Sequence, residues 1–462
     1  VNRMQLWPHQ QEAREFAAPF DGCMLAMEMG TGKTPIGLTW IQDKGAKRVL
    51  VVAPANVVTN GVWEDEAALW YPEAVVHTLT GTGTKRIAQL ATARMMTGPT
   101  IWVINYEALS NQKLQAMLRV VEWDALILDE SHRIKSPGGK WSLFLSSLCW
   151  TRNAIDPPRI PYRLCLTGTP MPHSPLDIYA QARVFDPGLY GRNNRLFKLR
   201  YADWGGFENR VPTFPADKKV ALLKRLDTRA FRVLSSKVLD LPEEQDIDIK
   251  CDLGPKGRKA YNDMHETLVA DVDEGVVTAG NALSRLLRLQ QLAGGHAAVE
   301  DGIGGNTLVR VDDAKAKVFK ELMTDLDEPV VIFAKFKAEL DDIGEVVDGL
   351  GFATYMLRGG DNQYRLWRDD TTHKKALVVQ IQAGGEGIDM SQARIGVYYS
   401  TGFDMGMYLQ SRGRIHPRRV GESDPTIFYH ILARATVDID VRRGLKNREN
   451  LVLSILKHLK GQ

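Results

Sequence analysis

No uninterrupted apolar run in this chain approaches the ~20 residues that span a bilayer, and no basic-then-apolar leader opens it. A membrane partner is not expected, and the chain reads as an intracellular protein. Cysteine is scarce. The four present, Cys23, Cys149, Cys165 and Cys251, are scattered, with no Cys-x-x-Cys pair and no histidine at metal-ligand spacing. That pattern argues against a zinc site and leaves reduced core thiols. An excess of charge of one sign is also missing: the formal net charge is +3, so any surface for a polyanion has to be a local patch. No internal sequence repeat is present.

What the chain does have is apolar content, 44% over 462 residues, enough for two or three domains with cores of their own. Short apolar runs alternate with longer helical patterns, the signature of parallel sheets covered by helices. This happens twice, at 23–26, 49–53, 100–105, 125–128 and 162–166, and again at 330–334, 353–357, 376–380, 395–399 and 426–431. The Pro-, Gly- and Asn-rich stretch 185–194 ends the first series. Residues 216–239 and 256–292 look helical, separated by a break at Leu241-Pro242-Glu243-Glu244. The glycine cluster 302–305 reads as the turn of a β-hairpin. The fold class is α/β, with domains at 1–240 and 241–462, the second including the helical segment 256–292.

The most informative run is Met27-Glu28-Met29-Gly30-Thr31-Gly32-Lys33-Thr34. A glycine-bearing turn between an apolar strand and a helix lets main-chain N–H groups close around phosphate oxygens, and the helix N-terminus favours negative charge. Gly30, Thr31 and Gly32 form that cradle, Lys33 reaches the β- and γ-phosphates, and Thr34 ligates magnesium. The generic pattern has glycine where this chain has Met27. Downstream, the apolar run 124–128 ends in Asp129-Glu130-Ser131-His132, two carboxylates at the tip of a buried strand. Magnesium in a phosphoryl-transfer site takes few protein oxygens, so Asp129 suffices for the metal and Glu130 is free to act on the attacking water. His132, next to these carboxylates, is expected to couple them to Gln410 by a hydrogen bond across a cleft.

In the second half, Ala383-Gly384-Gly385-Glu386-Gly387-Ile388-Asp389 is glycine-rich enough for close approach to a polyanion. Gln410-Ser411-Arg412-Gly413-Arg414-Ile415-His416-Pro417-Arg418-Arg419 supplies arginines able to stabilise transition-state charge on phosphates. Trp63, Trp70, Trp102 and Trp123 are read as packing residues, and Arg442, Arg443, Lys446 and Arg448 as a solvated helix face. Arg133 and Lys135 fit DNA contact and solvation equally.

Taken in order, these motifs resemble helicase superfamily two, and within it the Swi/Snf-type DNA translocases, from about residue 5 to about residue 445. Leu6-Trp7-Pro8-His9-Gln10 looks like the family's adenine-recognising Q motif, implying that Gln10 reads the base. Glu28 to Thr34 is similar to motif I, Ala53-Pro54 with Trp63-Glu64-Asp65-Glu66 to motif Ia, and Asn105-Tyr106-Glu107 to the next DNA-side motif. Asp129 to Ser136 looks like motif II, its Ser-His pair being reminiscent of the annealing-helicase branch. Leu166-Thr167-Gly168-Thr169-Pro170-Met171-Pro172 matches motif III, implying coupling roles for Thr167 and Thr169. Residues 383–389 are like motif V, implying that Gly385 and Asp389 lie at the nucleotide, and 410–419 like motif VI, implying a finger at Arg414. The family's second finger falls on Pro417 here, so that role passes to Arg418 or Arg419. The resemblance implies two RecA-like domains with a nucleotide cleft between them, ATP and Mg2+ as cofactors, and DNA as a largely sequence-independent partner. Large helical insertions and chromatin-targeting modules are not seen, so a nucleosome remodeller is not expected. The expected function is an ATP-dependent translocase on duplex or branched DNA in replication, recombination or repair, alongside other proteins of those processes, in the cytoplasm of a bacterium or in a phage. The alternatives are the motor of a restriction-like or RNA-remodelling system, or a non-catalytic nucleic-acid-binding scaffold.

Overall fold

The computed structural model describes residues 5–458 apart from 29, 152–155, 173, 206–210, 235–237, 239–242, 268, 273–274, 279–281, 301–305, 385–387 and 416–424. The chain divides into two compact units, Val1–Asp240 and Leu241–Gln462.

The first unit is built on β1 (Gly22–Met27), β2 (Arg48–Ala53), β3 (Val75–Thr78), β4 (Thr100–Asn105), β5 (Ala125–Asp129), β6 (Tyr162–Thr167) and, after a small antiparallel pair β7 (Asp203–Gly205) and β8 (Val211–Thr213), β9 (Ala230–Val233). The sheet runs β3-β4-β2-β5-β6-β1-β9, and every pairing in it is parallel. All five apolar runs of the first series form strands. Met24, Ala26, Leu50 and Val52 enter one core cluster, while Cys23, Leu25, Met27, Val49 and Val51 enter another. Alternate residues of each strand thus bury on opposite faces, which is why these strands are apolar along their whole length.

The second unit holds β10 (Glu244–Cys251), the antiparallel pairs β11 (Val269–Val272) with β12 (Gly275–Thr278) and β13 (His296–Glu300) with β14 (Asn306–Arg310), then β15 (Val330–Ala334), β16 (Ala353–Arg358), β17 (Asp361–Asn362), β18 (Lys375–Gln380), β19 (Ile395–Tyr398) and β20 (Thr426–Ala433). Its main sheet runs β10-β20-β19-β15-β18-β16-β17, parallel except where the short β17 turns back on β16. Val331 and Phe333 bury on one side, Val330 and Ile332 on the other. The two units are therefore both parallel-sheet α/β domains.

Two helical expectations need correction. Residues 216–239 are not one helix: the helix Ala216–Asp227 ends and β9 follows, pairing Ala230 with Met24 on the free edge of β1. Residues 256–292 are two helices, Pro255–Thr267 and Ala282–Ala293, with the β11–β12 pair between them. In both places short strands are stabilised by pairing and not by local propensity. The hairpin around the glycine cluster forms, with Val299 opposite Thr307, while 302–305 lie outside the described residues.

The four cysteines are buried and free, and burial pushes the thiols of Cys23 and Cys149 up to about 12. Trp63, Trp102 and Trp123 pack inside the first unit, as expected. Arg442 departs from the solvated face assigned to it and is buried. Among the described residues no helix is long and apolar enough to cross a membrane, and no group of three His, Cys, Asp or Glu is arranged to hold a metal ion.

Candidate functional site

The strand order places β1, β6 and β5 side by side, with Leu25 opposite Leu166 and Asp129 opposite that same Leu166. The loops leaving their carboxyl ends are consequently neighbours, the position at which parallel α/β sheets bind ligands. They carry the glycine loop, the carboxylate pair and Thr167.

The glycine loop is held from several sides. Its first N–H, that of Glu28, donates to the Val233 carbonyl at the end of β9 (3.0 Å). The Thr31 hydroxyl donates back to the Glu28 carbonyl (2.7 Å), closing the turn. The helix Pro8–Ala17 sets its first turn against the loop: His9 Nε2 (3.0 Å) and Gln10 Nε2 (3.2 Å) both donate to the Thr31 carbonyl, and Gln10 Oε1 accepts from the Trp7 N–H (2.9 Å). Gly30 and Gly32 have φ of 78° and 76°, the left-handed region that glycine enters without cost. A Cβ at Gly32 would lie 2.0 Å from Gln10 Nε2, so a side chain there would push the Gln10 amide off the Thr31 carbonyl. Gly32 caps the helix Lys33–Asp43, whose N-terminal amides and dipole favour an anion. Lys33 Nζ donates to the carbonyls of Met27 (3.0 Å) and Glu28 (3.4 Å), folded over its own loop.

At the end of β5, Asp129 and Glu130 are 8% and 4% exposed. Trp63 Nε1 donates to Asp129 Oδ2 (3.3 Å) and the Tyr106 hydroxyl to the Asp129 carbonyl (2.8 Å). Burial first, and then the Asp129 charge, raises the Tyr106 phenol well above its ordinary value, so it stays a donor. Glu130 adopts a φ of 51°, a conformation an L residue holds only when its surroundings enforce it. The next residue supplies an anchor: Ser131 Oγ donates to Gln181 Oε1 (2.8 Å), and Gln181 Nε2 donates to the carbonyls of Pro170 (2.7 Å) and Asp177 (3.1 Å). This ties the carboxylate loop to the loop that follows β6. A second tie runs through His132, whose Nδ1 lies 3.3 Å from Glu130 Oε2, 3.1 Å from Thr167 Oγ1 and 3.5 Å from Thr169 Oγ1, while the Thr169 N–H donates to Thr167 Oγ1 (3.1 Å).

The first unit thus gathers Gln10, Gly30, Thr31, Gly32, Lys33, Thr34, Asp129, Glu130, His132, Thr167 and Thr169 at one end of its sheet. The donor set fits a magnesium–triphosphate ligand: amides and an ammonium for phosphate, and the hydroxyl of Thr34 with the carboxylate of Asp129, both hard oxygens, for the metal. Trp63, Tyr106, Ser131 and Gln181 were not singled out for a role here by the sequence. A buried indole needs an acceptor, which is the signal that pointed past packing at Trp63. Arg133 is engaged with Glu107 (2.7 Å), itself bonded to Asn105 (2.7 Å).

In the second unit, Asp389 Oδ1 accepts from the Ser391 N–H (3.0 Å), and its carbonyl accepts from the Tyr364 hydroxyl (2.8 Å). One residue on, the Met390 N–H donates to the Arg414 carbonyl (2.9 Å), joining the segments expected to act as motifs V and VI. Gln410 and Arg414 are buried. Gly385, Arg418 and Arg419 lie outside the described residues. The expected partnership of His132 with Gln410 would join the two units, each of which is described on its own.

A model of the SNF2-related domain matches residues 8–294, and one of the helicase conserved C-terminal domain matches residues 314–419. Protein p41 of Acyrthosiphon pisum secondary endosymbiont phage 1 is 25% identical over 458 residues, covering 93% of this chain and 94% of that protein. The Caenorhabditis elegans homolog of the SWI/SNF-related matrix-associated actin-dependent regulator of chromatin subfamily A-like protein 1 is 26% identical over 452 residues, covering 94% of this chain and 59% of that protein. The chain spans 33% of the CHD3-type chromatin-remodeling factor PICKLE of Arabidopsis thaliana, at 22% identity over 94% of this chain. Among solved structures, the Sulfolobus solfataricus SWI2/SNF2 ATPase core in complex with dsDNA aligns with a TM-score of 0.43 at 20% identity, over 97% of this chain and 92% of that one.

Proposed function

The chain belongs to the SNF2-related family of helicase superfamily two, and from that membership we propose that it is an ATP-driven motor tracking along duplex or branched DNA in replication, recombination or repair. The observation that carries this reading is the convergence of Lys33, the Asp129–Glu130 pair and Thr167 at the carboxyl ends of three adjacent strands. ATP bound with Mg2+ supplies the phosphoryl group and the cation that spreads its charge. The chain's own groups do the rest. Gly30, Thr31 and Gly32 offer main-chain N–H groups to phosphate oxygens, and Lys33 exchanges its bonds to Met27 and Glu28 for phosphate. Thr34 and Asp129 hold the metal, with Trp63 fixing the carboxylate. Glu130 orients the attacking water. His132, between Glu130 and Thr167, relays the state of that carboxylate to the loop containing Thr169. Gln10 braces the loop and reads the base.

Residues 1–240 form the ATP-binding lobe in this reading, and 241–462 the lobe that brings Gly385, Asp389, Arg414 and one of Arg418 and Arg419 to the nucleotide, with Gln410 as the partner of His132. Grip on DNA is through the phosphate backbone and indifferent to sequence. The likeness to p41 over nearly the full length of both chains supports a phage or bacterial setting.

Steady-state ATPase assays with single-stranded, duplex and forked DNA, and with RNA, test the proposal. Duplex or forked DNA should stimulate most, with triplex displacement reporting translocation. Stimulation by RNA alone would move the chain to an RNA-remodelling system.

A further inference from the structure

The second unit contains a charged cluster that the nucleotide site does not account for. Arg412, at the last turn of the helix Met405–Arg412, is 4% exposed, and Arg442, on the helix Val437–His458, is 6% exposed. Two guanidinium groups so far from water need counter-charges. They receive them from one face of the edge strand β10, where Glu244, Asp246 and Asp248 alternate along the chain. Arg412 Nε donates to Glu244 Oε2 (3.1 Å) and its Nη1 to Asp246 Oδ1 (2.7 Å), while Arg442 Nε donates to Asp248 Oδ1 (2.8 Å) and its Nη2 lies 3.2 Å from Asp246 Oδ1. The Tyr408 hydroxyl accepts from both, at 2.9 Å and 3.0 Å. His430 on β20 adds Nε2 at 2.7 Å from Asp246 Oδ1.

Asp246 Oδ1 is thus the point at which three donors meet, although the carboxylates themselves are about a third exposed on the sheet edge. Burial opposes ionisation there, yet the bonds from His430 and Arg412 hold Asp246 well below the usual carboxylate range. His430 stays neutral: burial and the charge of Arg442 push it down to about 4 against the pull of Asp246.

Arg412 stands two residues before Arg414, and only Gly413 separates them. The main chain at Arg414 is tied on both sides: its carbonyl accepts from the Met390 N–H (2.9 Å), and its own N–H donates to the Ser411 carbonyl (3.3 Å). We propose that Asp246, through Arg412, is a positioning residue for Arg414, so that β10 and the C-terminal helix together set where the motif VI arginine stands. The inference rests on the functional reading above, because Arg414 matters to turnover only in an ATPase. Residues Glu244 to Asp248 follow directly on the boundary between the two units, so the segment joining the units is also the one that holds this arginine's support.

The test is a double-mutant cycle on the full chain. Asp246→Asn should lower kcat in saturating DNA by roughly tenfold or more, because a misplacement of about 1 Å at a catalytic group costs that much, with KM for ATP changed far less. Added to Arg414→Ala, the same substitution should do nothing further, since a residue acting through Arg414 has no other route to the chemistry. Asp252→Asn, which removes a carboxylate paired with Arg434 at the exposed surface, is the charge control and should leave kcat unchanged. Should Asp246→Asn fail to fold, Arg412→Lys, which keeps the charge and loses the forked geometry, replaces it in the cycle. A kcat within twofold of wild type, or a loss that persists undiminished on Arg414→Ala, overturns the proposal. A wild-type protein without ATPase activity would refute the functional reading instead. Amide hydrogen exchange at 410–414 then decides the positioning alone: faster exchange in Asp246→Asn supports it, and unchanged exchange overturns it.

Discussion

Glu130 is the residue on which the proposed chemistry turns, and its surroundings say why it cannot be exchanged lightly. It is buried, it holds a left-handed backbone, and the His132 ring lies 3.3 Å away. Glu130→Gln keeps the shape and removes the charge that acts on water, so turnover should fall by roughly a hundredfold or more while nucleotide affinity is retained. Lys33→Ala should lose turnover and affinity together, since an ammonium that contacts phosphate acts in the ground state as well. Steady-state ATPase and equilibrium nucleotide binding separate the two, and near-normal hydrolysis in Glu130→Gln would remove it from the catalytic role. Trp63→Phe is a subtler case. It keeps the apolar fill and deletes the donor to Asp129 Oδ2, leaving a carboxylate with one bond fewer. Turnover should drop several-fold and the magnesium concentration for half-activity should rise. An unchanged magnesium dependence would return Trp63 to packing alone.

At the scale of elements, the helix Lys337–Gly349 makes a prediction about pH. Its Glu339 is fully buried at the N-terminal turn; Oε2 accepts from the Phe336 N–H (3.1 Å) and from Ser400 Oγ, while Oε1 has no hydrogen-bond partner among the described residues. Burial pushes this carboxyl up to about 7. An unfolded glutamate releases its proton near pH ~4.3, so the protonated carboxyl's contribution to stability is fully present below that value and is lost as the pH rises toward 7. Glu339→Gln cannot titrate. Between pH 5 and 8 the variant should therefore gain on wild type by an amount on the order of a few kcal/mol, read from urea midpoints of the second unit's transition. Parallel curves for the two proteins across that range would show that Glu339 is ionised throughout.

The molecule as a whole carries a net charge of only +3, so the proposed grip on DNA cannot come from bulk attraction. If both lobes hold the phosphate backbone through local clusters, counterion release still makes the affinity salt-dependent. Duplex binding followed by anisotropy should weaken at least roughly tenfold between ~50 mM and ~200 mM salt, with the same slope on unrelated sequences. An affinity flat across that range would contradict a backbone-tracking motor.

Much of this protein was legible before any coordinates, for a local reason. Strands buried on both faces must be apolar along their length, so the runs at 23–26 or 330–334 mark the sheets wherever they end up. A phosphate loop is likewise local chemistry, eight consecutive residues from Met27 to Thr34 whose glycines and lysine act together. The strands β3, β9 and β10 escaped because they are short or charged and owe their existence to a neighbouring edge, which no window of sequence contains. The same holds for partners. Ser131 and Gln181 are 50 residues apart, Trp63 and Asp129 are 66 apart, and Arg442 and Asp248 are 194 apart. Whether Arg442 is solvated or buried depends on whether two acidic residues of β10, Asp246 and Asp248, come to lie against it, because a guanidinium enters the interior only where carboxylates meet it. Residue types and their spacing determined what chemistry the chain carries; only the packing of distant strands and helices decided which side chains hold that chemistry in place.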